Sequence, residues 1–156
     1  MLQLTEKQRE LIERLGVFSE QDGAPPTEAR IMSLLLVADE VELTFDQIRE
    51  LLNISKSAAS TALNTLLATQ KIIYKTRPGD RKRYFSSNLL NWEENATMGF
   101  KKLLSVNKLL NEILEQRTPE TPEFNAGLRN LIDFMDFMKQ ELPQLFERWQ
   151  NHKTKP

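Results

Sequence analysis

Between Ser55 and Ser86 the chain holds seven cations, Lys56, Lys71, Lys75, Arg77, Arg81, Lys82 and Arg83, against one acid, Asp80, a net charge of +6. The 156-residue sequence sums to −1, so everything outside that window sums to −7. Interleaved with the cations are neutral hydrogen-bonding side chains: Ser55, Ser57, Ser60, Thr61 and Asn64. Positive charge gathered at one place in an otherwise acidic protein, beside groups that donate and accept, suits a polyanion with readable edges. Other chemistries lack their reagents. There is no cysteine, and the one histidine, His152, lies in the tail Asn151-His152-Lys153-Thr154-Lys155-Pro156. No Ser-His or Cys-His couple and no transition-metal site can be assembled from that inventory. The five glycines, at 16, 23, 79, 99 and 127, are too scattered for a phosphate-cradling loop or a dinucleotide fingerprint. The expectation is a protein without catalysis, cofactor or metal. No run approaches the ~18 apolar residues of a membrane span, and the charged N-terminus lacks a signal-peptide stretch, so the expected location is cytoplasmic.

These side chains must be positioned by capped helices and a hairpin. Thr5-Glu6-Lys7-Gln8 is a capping box that opens a helix with Leu11, Ile12, Leu15 and Phe18 on one stripe, fading near Gly23. Pro25-Pro26 restarts the chain into a second helix that buries Ile31, Leu34, Leu35 and Ala38. Thr44-Phe45-Asp46-Gln47 is another capping box, with Leu43 placed to staple against Ile48. Asn53 tolerates the left-handed turn that ends this short helix, and Ser55 caps the next, predicted to run to about Thr69. There Ala59, Ala62, Leu63 and Leu66 face inward, while Lys56, Ser57, Ser60, Thr61 and Asn64 face outward. Ile72–Thr76 and Lys82–Ser86 read as strands about a Pro-Gly turn.

Two helices, a tight turn and a cationic hairpin describe a winged helix-turn-helix, and double-stranded DNA is the partner it implies. The slim polar helix fits the major groove, where each base pair shows its own donor and acceptor pattern. Helix N-termini at Thr44 and Ser55 offer free N–H groups to phosphates. Arg81 at the hairpin tip suits a narrow minor groove, and Lys75, Arg77, Lys82 and Arg83 are expected to neutralise flanking phosphates. With Ala58, Ser60, Thr61 and Asn64 available but no arginine on the helix, readout should lean on adenine edges and thymine methyls, giving an A·T-leaning operator. The competing reading is a winged helix used as a protein-interaction adaptor.

Beyond the hairpin a single long helix is predicted from Leu89 to Glu115, about 40 Å at 1.5 Å per residue. Trp92, Ala96, Phe100, Leu103, Asn107, Leu110 and Leu114 lie near one stripe of it. Thr118-Pro119-Glu120-Thr121-Pro122 breaks it, with Thr121 as the next N-cap and Pro122 at N1. Phe124, Leu128, Leu131, Met135, Met138, Leu142, Leu145 and Trp149 then form an apolar heptad seam that Pro143 should kink. A mostly helical tail this short cannot bury such stripes alone, so the chain is expected to be a homodimer. Its interface would use Leu11, Leu15, Phe18, Phe100, Leu103, Leu110, Leu128, Leu131, Met135, Met138, Leu142, Leu145 and Trp149. The aromatics could instead cage a cationic ligand, but core and interface are their commoner roles. Whether a small-molecule effector is sensed stays open. The expected fold is mainly α with a small β-hairpin wing. Residues 1–22 form a helix contributing to dimerisation, 23–88 the winged helix-turn-helix, and 89–156 the helical dimerisation region.

The stretch Leu43-Thr44, Ile48, Leu51-Leu52, Ile54-Ser55-Lys56-Ser57-Ala58-Ala59-Ser60, Leu63, Leu66 and Ile72, followed by Gly79-Asp80-Arg81-Lys82-Arg83-Tyr84-Phe85, resembles the MarR superfamily. Within it the wing and Pro25-Pro26-x-x-Ala29-Arg30-Ile31 look most like the GbsR-like branch. The resemblance is specific over residues 23 to 90 and architectural elsewhere. It implies a dimeric transcriptional regulator whose first and last helices interlock the protomers. Ser55 to Asn64 would then be the groove-facing helix, and Asp80 with Arg81 the wing tip, the aspartate orienting the arginine. Three departures stand out: Gln70 replaces the glycine that usually ends the recognition helix, Thr61 stands where arginine is frequent, and no cysteine exists for thiol sensing.

Overall fold

In the computed structural model, which describes residues 2–153, helix α1 (Glu6–Gln21) starts where its capping box places it. The Thr5 hydroxyl accepts from the Gln8 N–H at 3.1 Å, and Gln8 Oε1 accepts from the Thr5 N–H at 2.9 Å. Pro26 opens α2 (Pro26–Val37). The two helices pack through Gly16, where an added Cβ would come within 3.1 Å of the Arg30 guanidinium. Arg30 pairs there with Glu13 at 3.1 Å and with Glu20.

The second capping box opens α3 (Phe45–Leu52), and Asn53 ends it in the left-handed conformation at φ 50. The staple partners Leu43 and Ile48 are both fully buried. Ser55 accepts from the Ala58 N–H at 3.2 Å and caps α4 (Lys56–Ala68). Ala59, Ala62, Leu63 and Leu66 are buried as the spacing predicts. Gln70 adopts φ 56, so the missing glycine is replaced by a residue held left-handed, a conformation that costs an ordinary side chain about 1 kcal/mol. Its N–H donates to the Leu67 carbonyl at 3.0 Å, and its carbonyl accepts from the Asn88 amide at 2.9 Å.

The sheet has three strands where two were expected. Strand β1 (Leu43–Thr44) pairs with β3 (Arg83–Ser87), which pairs on its other side with β2 (Ile72–Thr76), all antiparallel. The second hairpin strand begins one residue later than predicted, because the Lys82 N–H is engaged by Asp80 within the turn. Leu4, Ile12, Ile31, Leu34, Leu43, Ile48, Leu66, Ile72 and Phe85 close one core beneath this sheet. It belongs to the first of two compact units, Met1–Asn91 and Trp92–Pro156, and α1 is part of that unit.

The rod expected from Leu89 to Glu115 is not continuous. A 3₁₀ turn at Leu89–Asn91 ends the first unit, and the second begins with α5 (Trp92–Ser105), breaks at Val106 and resumes as α6 (Asn107–Gln116). The residue after the break, Asn107, on the supposedly apolar stripe, is buried, and its Oδ1 has no hydrogen-bond partner among the described residues. Its amide donates to the Asp136 carboxylate at 2.6 Å, on helix α7 (Pro122–Lys153), while the Ser105 hydroxyl donates to the Lys102 carbonyl at 2.6 Å. At the start of α7 the Thr121 hydroxyl accepts from Arg117 at 2.9 Å. Helix α7 runs unbroken through Pro143.

The heptad seam splits between two neighbourhoods. Of the seam, Met135 and Leu142 are buried within the chain's own second unit, together with Ile132, which lies off the predicted seam, and Leu128 and Met138 are half-buried. Phe124, Leu131, Leu145 and Trp149 stay exposed, with Phe134 and Phe137 beside them. Edge-to-face pairs, Phe100 with Phe146 and Trp92 with Trp149, each at 6.2 Å, join α5 to α7. Glu93 accepts from the Trp149 indole at 2.8 Å and from Gln150 at 2.6 Å, and pairs with Lys153. Replacing Gln70 by glycine removes the left-handed strain, so Gln70→Gly is expected to gain about 1 kcal/mol in urea unfolding. An unchanged or lower midpoint would show that the turn carries no such strain.

Candidate nucleic-acid interface

Six of the predicted contact residues stand on α4 or its cap, and all six are exposed: Ser55, Lys56, Ser57, Ser60, Thr61 and Asn64. They are not equally free. The Ser55 hydroxyl lies 3.1 Å from that of Ser57 and is already engaged in the cap. Lys56 forms no salt bridge among the described residues. Thr44 is 8% exposed, and its hydroxyl and N–H both bond Gln47, so it caps α3 with no polar side-chain atom left over.

The wing turns at Arg77-Pro78-Gly79-Asp80, where the Asp80 N–H donates to the Arg77 carbonyl at 3.0 Å. Proline at the second position and Gly79 at φ 78 give the type II pattern, which glycine alone enters without strain. The Asp80 carboxylate then accepts from the Lys82 N–H at 2.9 Å and from the Tyr84 hydroxyl at 2.6 Å. The expectation that Asp80 orients Arg81 is therefore corrected. Both of its oxygens are held by the turn and by Tyr84, and Arg81 forms no salt bridge among the described residues.

Strand register sorts the remaining cations by face. Thr76 pairs with Arg83, Lys75 with Tyr84 and Tyr74 with Phe85. Alternation puts Ile72, Tyr74, Arg83 and Phe85 on one side and Lys75 and Tyr84 on the other. The first side looks toward α4. There a groove of about 290 Å³ is lined by Ser60, Asn64, Arg81, Lys82 and Arg83, with Asp46 and Phe85 also at its wall. The Arg83 guanidinium rests 4.8 Å above the Tyr74 ring. On the far side Glu42 pairs with Lys75 at 3.0 Å and with Arg77 at 3.2 Å, and the Arg77 guanidinium lies 3.8 Å over Tyr84. Lys75 and Arg77 thus have an acid of their own chain beside them, where the sequence led us to expect two free phosphate binders.

These contacts shift the titrations. Hydrogen bonds from Lys75 and Arg77 hold the Glu42 carboxyl below its usual range. The Tyr84 hydroxyl, and then the Lys82 N–H, do the same for Asp80, and that bond to Asp80 pushes the Tyr84 phenol up. Glu42 is the neighbour of the site that sequence reasoning missed, because a lone acid outside the basic run carries no local signal of pairing with it, whereas Tyr84 was quoted only as part of the wing motif and its bond to Asp80 had no local sign.

A polar helix capped by Ser55, facing a basic groove closed by a three-stranded wing, is the arrangement of a winged helix-turn-helix. Residues 22–83 match the model of the MarR family, and residues 91–152 match that of MmpR5-like MarR family transcriptional regulators, so both parts of the chain carry MarR-like regulator sequence. A crystal structure of a transcriptional regulator superposes with a TM-score of 0.73 at 20% identity, over 93% of this chain and 99% of that one, and bears out the fold. The adhesin competence repressor AdcR from Streptococcus pyogenes aligns over 89% of this chain and 98% of its own, at 18% identity and a TM-score of 0.38. No curated protein sequence matches. Neither matched family is one of enzymes. Among the described residues no helix is long and apolar enough to cross a membrane, and no acid, histidine or cysteine cluster could hold a metal.

Because Asp80 titrates below its ordinary value in the folded wing, its contribution to stability is full above the unfolded carboxylate pKa, about 4, and is lost as pH falls through the lowered value. Tyr84→Phe removes the main cause. The Asp80 midpoint, followed by carboxyl NMR, should then rise toward the ordinary range, and an unmoved midpoint would rule out this hydrogen bond as its source.

Proposed function

We propose that the chain is a sequence-specific regulator of transcription, a repressor, that binds double-stranded DNA in the cytoplasm as a homodimer. The observation that carries this reading is the sorting of charge. Arg81, Lys82 and Arg83 share one groove with Ser60 and Asn64 of α4, so phosphate-binding and base-reading groups address the same side. Helix α4 is the segment for the major groove, its Lys56, Ser57, Ser60, Thr61 and Asn64 turned outward. Arg81 is the residue for the minor groove, and Lys82 and Arg83 serve the adjacent phosphates. The wing motif Gly79-Asp80-Arg81-Lys82-x-Tyr84-Phe85 supports a place in the GbsR-like branch.

One such module covers roughly 600–1,000 Å² on DNA, which limits both affinity and information. Two modules on a two-fold axis read half-sites about 34–36 Å apart. Apolar surface of the kind a dimer would cover is abundant: Phe18 and Leu103 are each 61% exposed, Leu145 52% and Leu131 46%. Large apolar side chains exposed in this number are surface that association would cover. Leu11, Leu15, Phe100, Leu110, Leu128, Met138 and Trp149 extend the proposed contact, whereas Met135 and Leu142 are already covered by their own chain and add least to it.

The four cations of the proposed DNA face, Lys56, Arg81, Lys82 and Arg83, form no salt bridge among the described residues and should give a log K against log salt slope of about −3.5 per protomer. Lys56→Ala or Arg81→Ala should cost roughly 1–3 kcal/mol and alter base preference if the residue reads bases, or weaken all sequences alike if it holds phosphate. A flat salt response of the unaltered protein would end the DNA reading in favour of a protein-interaction adaptor. Sedimentation should give twice the 18.1 kDa chain mass. A monomer at micromolar concentration would reject the homodimer.

A further inference from the structure

Glu42 reaches the basic wing from outside it. Its two oxygens are divided, one accepting from Lys75 Nζ at 3.0 Å and the other from Arg77 Nη2 at 3.2 Å. The Glu42 side chain is only 22% exposed, while those of Lys75 and Arg77 are 65% and 57% exposed. Its backbone is fixed by the core, because the next residue, Leu43, is fully buried and paired with Phe85, and Thr44 caps α3. Arg77 also lies on the Tyr84 ring, whose hydroxyl donates to Asp80. On the face away from α4, two cations are thus offset by two carboxylates. On the face toward α4, Arg81, Lys82 and Arg83 line the groove with a single acid, Asp46, and none of the three forms a salt bridge among the described residues.

That asymmetry matters because attraction to phosphate carries no sequence information. A hairpin with free cations on both faces would hold a duplex on either side, and a duplex held on the far side leaves α4 with nothing to read. We propose that Glu42 is a specificity-determining residue: by occupying Lys75 and Arg77 it makes the wing one-sided and lowers affinity for DNA of arbitrary sequence. The duplex phosphates must compete with a fixed carboxylate for both cations. A glutamate carboxyl is ionised at neutral pH, and the hydrogen bonds from Lys75 and Arg77 extend that state to lower pH. The inference rests on the DNA-binding reading above and adds to it the residue that suppresses unread binding.

The test uses the full chain, a random-sequence duplex of about three helical turns, and a duplex recovered by selection with the unaltered protein. Affinities are measured by fluorescence anisotropy between about 50 and 200 mM salt. Glu42→Gln should bind the random duplex roughly tenfold more tightly at the low-salt end, with a slope steeper by about 1 to 2 per protomer, as two further cations reach phosphate. Its preference for the selected duplex should fall. Adding Lys75→Ala and Arg77→Ala to that variant should return random-duplex binding to the starting level. The pair Lys75→Ala and Arg77→Ala alone should change random-duplex binding less than twofold, and this arm decides the matter if Glu42→Gln does not fold. Unchanged slope and affinity in Glu42→Gln, equal weakening on both duplexes, or a large loss in the lysine and arginine pair would each overturn the proposal. If the unaltered protein shows no salt-sensitive duplex binding at all, the DNA reading itself has failed, whatever Glu42 does.

Discussion

The pairing of β1 with β3, only two residues long, is the constraint on which the first unit depends. Leu43 is at once a strand residue opposite Phe85 and the staple that packs against Ile48, and both functions bury it completely. Thr44 is at once the last strand residue and the cap of α3. A displacement of these two residues would therefore move the wing and the helix pair together. The same anchor places Glu42 against β2, so the distribution of charge on the wing follows from a contact made by its neighbours in the core.

Local signals in the sequence were legible because their causes are local. Both Thr-Gln capping boxes, the Ser55 cap, the left-handed Asn53 and the Pro-Gly turn each depend on residues within four positions of one another. Helix α4 followed from the same logic, since its buried and exposed faces repeat with the helical period. What escaped was nonlocal. A two-residue strand shows no alternation, so β1 was invisible, and with it the 33-residue separation across which Glu42 meets Lys75. The resemblance implies that Asp80 orients Arg81, but a carboxylate in this turn is claimed by the backbone N–H two residues on and by the tyrosine across the hairpin.

The second unit shows how far periodicity reaches. The 3-4 spacing along α7 correctly marked an apolar stripe, yet spacing does not say which neighbour covers it. Ile132, Met135 and Leu142 are covered within the chain, whereas Phe124, Phe134 and Phe137 are not. Asn107 was counted into an apolar stripe by position. Its burial calls for a polar partner instead, and the hydrogen bond its amide donates to Asp136 ties α6 to α7 at the point where the expected rod breaks. Asn125 does similar work lower down, bridging Arg117 at 2.7 Å and the Thr118 carbonyl at 2.8 Å. These polar ties fix register where a small apolar core alone would allow sliding.

Proline at position 143 gives α7 an uneven mechanical character. Lacking an N–H, it leaves the carbonyl four residues earlier without its ladder partner, so a twist applied at one end is not passed on at full stiffness to the other. The segment 144–153 is secured sideways by the grip of Glu93 on Trp149, Gln150 and Lys153. Without that grip the last turns would still be held by the ring pairs, Phe100 with Phe146 and Trp92 with Trp149.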